Sequence, residues 1–160
     1  MKDALVVIGL GANLGDRLSA LRQAVLRIGR MGEIKRRSRV YETAPMGPLQ
    51  PDFLNAAIAV ECTLSPLALL DALGRIESEL GRHRETEVRW GPRTLDLDIL
   101  WTSGPPLCDA RLVVPHPRLA ERAFAIVPLL DVAPDARDPL TGAPYVVPKA
   151  QVVRVTPFEL

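Results

Sequence analysis

Apolar residues recur along this chain with two periods, and the points where the period changes mark the element boundaries. Leu5 to Leu10 is a β-branched-rich run ending in glycines, the composition of a buried strand. Asp16 is placed to cap a helix whose Leu18, Leu21, Val25 and Ile28 share one face, closing near Gly29 or Gly32. Ile34 to Glu42 reads as a second strand, polar and basic on its outer side. Thr43 to Asp52 holds three prolines and a glycine, which excludes regular structure there. Phe53 to Cys62 is a third strand. Ser65 followed by Pro66 opens a second helix, predicted to turn Leu67, Leu70, Leu73, Ile76 and Leu80 inward and to stop at Gly81. After a charged loop from Arg82 to Pro92, Leu95 to Trp101 alternates as a fourth strand. Short helices around Leu119–Phe124 and Ile126–Asp131 follow, and Val152–Val155 is a candidate edge strand.

Strand, helix, strand, strand, helix, strand is the order of a ferredoxin-like βαββαβ arrangement. The expectation is therefore an α+β fold: an antiparallel sheet with helices packed on one face and extra C-terminal elements, one domain over residues 1–160. The length of 160 residues and the 48% hydrophobic content suit one core. Lys and Arg nearly balance Asp and Glu for a net charge of +1, so no global field draws the chain to nucleic acid or an acidic membrane. Cys62 and Cys108 do not make a disulfide framework, and no apolar run is long enough to span a bilayer or serve as a signal peptide. A cytoplasmic protein without nucleic-acid or membrane partners is expected.

The chemistry concentrates in Arg-Trp-Gly-Pro-Arg-Thr-Leu-Asp-Leu-Asp, residues 89–98. Strand periodicity puts Asp96 and Asp98 on one face, with β-carbons roughly 6–7 Å apart. Their mutual repulsion is about 2–3 kcal/mol at an effective dielectric near 20, which a cation between them would relieve. Oxygen ligands suit Mg²⁺, and the neighbouring arginines 82, 84, 89 and 93 suit phosphate oxygens. A solvated acidic pair and ordinary loop arginines would produce the same letters; their clustering in a nearly neutral chain favours a metal-plus-polyphosphate site.

Phe53 and Asn55 share a strand face and could stack on and hydrogen-bond a flat heterocycle, though a core phenyl and a turn amide would look alike. Trp90 either stacks on a ring or covers the sheet. His116, held between two prolines, could donate to a phosphate. Gly9 to Gly15 follows a strand and opens a helix, which suggests a dinucleotide-binding turn, but the spacing is not the strict one. No P-loop motif is present. A metal-dependent nuclease or RNA-binding module is a further alternative, one that would want a broad basic face and repeated aromatics on the central strands.

Four ordered blocks bring these residues together: residues 9–16, Tyr41-Glu42-Thr43-Ala44-Pro45-Met46-Gly47 with residues 50–56, residues 89–98, and Val114-Pro115-His116-Pro117. In these blocks the chain resembles the 6-hydroxymethyl-7,8-dihydropterin pyrophosphokinase family, to about Pro134. The resemblance implies transfer of pyrophosphate from ATP to the pterin hydroxymethyl, releasing AMP, in folate biosynthesis, by a monomer acting on two small molecules. It implies two Mg²⁺ ions held by Asp96 and Asp98, with Arg82 and Arg93 joining them in catalysis. Glu77, Arg84, Trp90, Arg93, Ile99, His116 and Arg122 would bind ATP. The pterin would lie among Thr43, Ala44, Met46, Phe53, Asn55, Trp90, Asp96 and Phe124. Ala44 stands where the family often has proline, Gly74 where a polar nucleotide contact is expected, and the loop before Trp90 is one residue longer.

Overall fold

The structure, a computed structural model, describes residues 4–83, 85 and 91–160. In chain order the described elements are β1 (Leu5–Ala12), α1 (Arg17–Ile28), β2 (Gly32–Arg37), β3 (Tyr41–Thr43), β4 (Phe53–Cys62), α2 (Pro66–Glu79) and β5 (Asp96–Thr102). A small hairpin, β6 (Leu107–Cys108) and β7 (Val113–Val114), precedes a 3₁₀ turn at Leu119–Glu121, α3 (Ala123–Val132) and β8 (Val153–Val155). The main sheet runs β5-β1-β4-β3-β8, with β2 also on β4, and every pairing in it is antiparallel.

The predicted strand Ile34–Glu42 is in fact two strands, and Ser38 is the reason. Its hydroxyl accepts from Ala57 N at 2.8 Å and donates to Arg39 O at 2.7 Å, so a side chain takes the place of a ladder carbonyl. Arg37 pairs with Ile58 and Tyr41 with Asn55, so the chain bulges between β2 and β3. As a result β2 lies along the far half of β4, and β3 along the half that begins at Phe53.

Both helix starts follow the capping chemistry in the sequence. Asp16 accepts from Ser19 N, and Ser65 from Ala68 N with Pro66 in the first turn. Gly29 ends α1, and Gly81, at φ +93°, follows the end of α2. The inward face of α2 differs from the predicted one: Leu69, Ala72, Leu73, Ile76 and Glu77 are buried, while Leu67, Leu70 and Leu80 lie at the rim. Leu67, Leu69 and Leu70 offer two overlapping apolar stripes, and the helix takes the one that also buries Glu77.

Two layers of core result. Val6, Ile8 and Leu10 of β1 meet Leu21, Val25 and Ile28 of α1 and Leu69 and Leu73 of α2. Each of these large side chains contributes about 1.5–3 kcal/mol on burial. The expectation of helices on one face holds for α1 and α2 only. Helix α3 packs on the opposite face, against Val7, Ala57, Ala59 and Leu100. Alanines at 57 and 59 keep that face shallow enough for a helix to approach. What the sequence suggested as two short helices is a 3₁₀ turn followed by a single helix through Val132. Tyr41 Oη donates to Asp131 at 2.6 Å and Arg36 Nη1 to Val132 O at 3.2 Å, fixing its far end to β2 and β3. No helix among the described residues is long and apolar enough to cross a membrane.

Candidate active site

Helix α3 begins at Ala123 and covers only part of its face, leaving a cavity of about 450 Å³ over the rest. Glycine makes the floor. Gly11 lies between Asp96 on β5 and Asn55 on β4, and Gly9 between Asp98 and Ala57. A β-carbon on Gly11 would stand 3.2 Å from Asn55 Oδ1 and 4.0 Å from Asp96 Cβ; on Gly9 it would reach Leu100 Cδ1 at 2.9 Å. Both glycines are therefore strand residues that make room, and the dinucleotide-turn reading of this segment falls. An antiparallel β1, rather than a parallel strand leading to a phosphate loop, is what they belong to.

Asp96 and Asp98 do share the cavity face, as their spacing predicts. Their environments differ. Asp96 Oδ1 accepts from Arg82 at 2.5 Å and Oδ2 from Arg93 at 2.7 Å. Burial pushes its pKa up, but the Arg93 and Arg82 guanidiniums outweigh burial and hold it below the usual carboxylate range. Asp98 is pushed up to about 7, first by burial and then by the charge of Asp96. One carboxylate is ionised and paired; its neighbour is driven toward the protonated form by burial and by that charge. Among the described residues no group of three or more His, Cys, Asp or Glu forms a cage for a metal. Two carboxylates on one cavity face nevertheless fit Mg²⁺, which keeps several waters and takes phosphate oxygens as ligands.

Behind Asp96 lies a buried ion pair. Glu77 Oε1 accepts from Arg82 at 2.7 Å and from Leu97 N at 2.7 Å, and both side chains are nearly inaccessible. Arg82 thus reaches Asp96 from the core side, and Glu77 does not line the cavity. The Ile99 side chain points into the α1–α2 core and is not in the wall either.

The opposite wall carries positive charge. His116 and Arg122 line the cavity together with Arg118, which the sequence reading did not single out although it follows the Val-Pro-His-Pro block. His116 Nδ1 accepts from Arg118 N at 3.1 Å, so in the neutral ring the proton sits on Nε2. Burial, aided by the Arg122 charge, holds its pKa below the ordinary histidine value. The Arg122 guanidinium sits 5.7 Å from the centre of the Phe124 ring.

The third side is apolar with a few hydrogen-bonding groups. Phe53, Phe124, Met46 and Ala44 line it, with Asn55 and Thr43 between them. Asn55 Nδ2 donates to Thr43 Oγ1 at 2.7 Å, which fixes the amide and leaves its oxygen toward Gly11. Asn13, given no role of its own in the sequence reading although it lies in the block 9–16, holds two loops: its Nδ2 donates to Gln50 Oε1 and Pro51 O, each at 2.9 Å, while its Oδ1 accepts from Arg93 N at 2.7 Å. Arg84, Arg89 and Trp90 lie outside the described residues. Gly74 is on the exposed side of α2, away from the cavity.

Known proteins of similar sequence settle the class first: they are pyrophosphokinases, and so transferases. One from Bacillus subtilis, 2-amino-4-hydroxy-6-hydroxymethyldihydropteridine pyrophosphokinase, is 42% identical over 142 residues, 87% of this chain and 84% of its own. Another of that name, from Methylorubrum extorquens, is 45% identical over 131 residues, 80% of this chain and 82% of its own. The chain belongs to the 7,8-dihydro-6-hydroxymethylpterin-pyrophosphokinase (HPPK) family, whose model matches residues 7–134. Among solved structures, an HPPK-DHPS in complex with substrates superposes with a TM-score of 0.70 at 13% identity over 92% of this chain. This chain spans 42% of that one, and the likeness speaks for the fold.

Proposed function

We propose that this chain transfers the pyrophosphoryl group of ATP to the hydroxymethyl oxygen of 6-hydroxymethyl-7,8-dihydropterin and releases AMP, a step of folate biosynthesis. The observation that carries this reading is the acidic pair facing a side-chain-free floor, with a hydrogen-bonding apolar wall on one side and a cationic wall on the other. The strand order supports a ferredoxin-like plan once β2 and β3 are counted as one interrupted strand, and β8 joins the tail to the same sheet, as one domain requires.

Within that reading, the pterin lies against Phe53 and Phe124, with Asn55 and Thr43 reading its polar edge and Ala44 and Met46 closing over it. Asp96 and Asp98 would hold two Mg²⁺ ions, whose chemistry would be to neutralise triphosphate charge. Arg82 and Arg93 fix the Asp96 carboxylate, and Arg93, His116 and Arg122 face the phosphates. Glu77 acts indirectly, by holding Arg82, and Ile99 touches the nucleotide only through its main chain. For Arg84 and Trp90, which lie outside the described residues, the assignment rests on the sequence resemblance alone. The hydroxymethyl oxygen attacks the β-phosphorus as the bond to the bridging oxygen of AMP breaks, and the hydroxyl proton passes to solvent. Such transfer asks mainly for alignment and charge neutralisation.

The test mixes protein, ATP, Mg²⁺ and the hydroxymethyl-dihydropterin and identifies the nucleotide product. AMP formed only when the pterin is present supports the assignment; ADP, or no turnover, overturns it.

A further inference from the structure

The family match ends at residue 134, yet the tail beyond it returns to the wall of the cavity. Strand β8 lies along β3, with Val153 opposite Thr43 and Val155 opposite Tyr41. Thr156 N donates to Val40 O at 2.9 Å and Arg22 Nε to Glu159 O at 2.9 Å, so the end of the chain is anchored. Just before β8, Gln151 sits at a junction of three segments. Its Oε1 accepts from Ala123 N, the first residue of α3, at 2.9 Å. Its Nε2 donates to Glu121 O at 3.2 Å and lies 3.6 Å from Met46 Sδ.

These contacts bear on one loop. Residues 44–52 leave the sheet at Thr43, which pairs with Val153, and return at Asp52, which lies 3.7 Å from Arg154. Gln151 touches the middle of the loop through Met46. Tail residues 151–154 therefore hold the loop at its start, middle and end. The same Gln151 holds the first turn of α3, which presents Arg122 and Phe124 to the cavity.

We infer that Gln151 is a positioning residue for the substrate pocket, setting the distance between the Met46 loop and the Phe124 end of α3 through its amide nitrogen and oxygen respectively. The identity of the ligand placed there, a dihydropterin, rests on the function proposed above; the strap itself does not. A plain helix cap would need only the oxygen, since any acceptor at that point satisfies Ala123 N. The nitrogen, directed at Glu121 O and Met46, has no capping work to do.

Two variants separate these roles. Gln151→Ala removes both atoms, while Gln151→Glu keeps an acceptor for Ala123 N and loses the donor. Hydrogen exchange of the amides in 44–52 reads the strap without reference to activity. Both variants are expected to exchange faster there, while Gln151→Glu, which keeps the acceptor for Ala123 N, melts closer to wild type than Gln151→Ala. In the AMP assay the KM for the dihydropterin should rise about three- to tenfold, the loss expected of one or two hydrogen bonds, with the KM for ATP moving less than twofold. If Gln151→Glu matches wild type in both loop exchange and pterin KM, Gln151 is a cap alone and the inference is overturned. Unchanged exchange in Gln151→Ala overturns it equally. Absence of AMP from the wild-type protein would sink the proposed reaction, and the exchange result would still decide the strap.

Discussion

Replacing Asp98 by asparagine should make the metal-free protein more stable, in a pH-dependent way. The Asp98 carboxyl titrates at about 7 in the fold against a usual 3.8, because burial and the Asp96 charge oppose its ionisation. The folded state therefore holds this proton more tightly than the unfolded chain. Below the unfolded value both states are protonated and the group costs nothing. As pH rises from there the unfolded chain ionises first, so stability falls, and the whole penalty is present once the folded group has ionised as well. A shift of about three units corresponds to roughly 4 kcal/mol at most. Asp98 faces an open cavity, where solvent screens its charge, and about 1–2 kcal/mol is the working figure. For a chain of this length that is a rise in melting temperature of about 3–6 °C in Asp98→Asn near pH 8, and almost none near pH 4. Thermal unfolding followed by circular dichroism in the presence of chelator measures it. Added Mg²⁺ with ATP should stabilise the wild type and not the variant. A variant less stable than wild type at pH 8, or a difference that does not change with pH, would refute the electrostatic reasoning.

Other substitutions probe neighbouring parts of the argument. Asp96→Ala should abolish AMP formation and, unlike the change at 98, lower stability by about 1–3 kcal/mol, because it removes an acceptor from the buried Arg82; unaltered unfolding would contradict that role. Gly11→Ala places a methyl 3.2 Å from Asn55 Oδ1, so pterin binding should weaken by about tenfold or more while the melting temperature moves little, as calorimetry with the pterin would show. Gly32→Ala would put its β-carbon 2.5 Å from Glu61 O, a backbone atom that cannot yield, and is expected to cost about 2–3 kcal/mol in denaturant unfolding. Gly74→Ala has open space in the interior of α2 and should stabilise by about 0.5–1 kcal/mol without affecting turnover.

Where local chemistry decides, the sequence foretold the structure. Asp16, Ser65, Pro66 and Gly81 mark helix ends through hydrogen bonds and backbone angles confined to a few residues. The Asp-x-Asp face follows from the strand period alone. The break at Ser38 was hidden because its cause is a hydroxyl reaching a neighbouring strand, a contact that exists only after the sheet has formed. Asn13 and Arg118 stayed hidden for a related reason: one acts through loops distant in sequence, and the other acquires its place from the turn after β7. The burial of Glu77 was not legible because a glutamate on a helix is ordinarily exposed, and only the guanidinium of Arg82, brought close by the turn at Gly81, makes that burial tolerable. The opposite placement of α3 could not be read from its own pattern, since it is apolar nearly all round.

The two strand glycines on the floor of the cavity carry an evolutionary consequence. Every other amino acid is larger, so at positions 9 and 11 each mutation acts in a single direction, toward a smaller chamber. Drift elsewhere in the wall can swap one bulky group for another and conserve volume. Here no exchange is available, and a lineage that keeps the chamber must keep both letters.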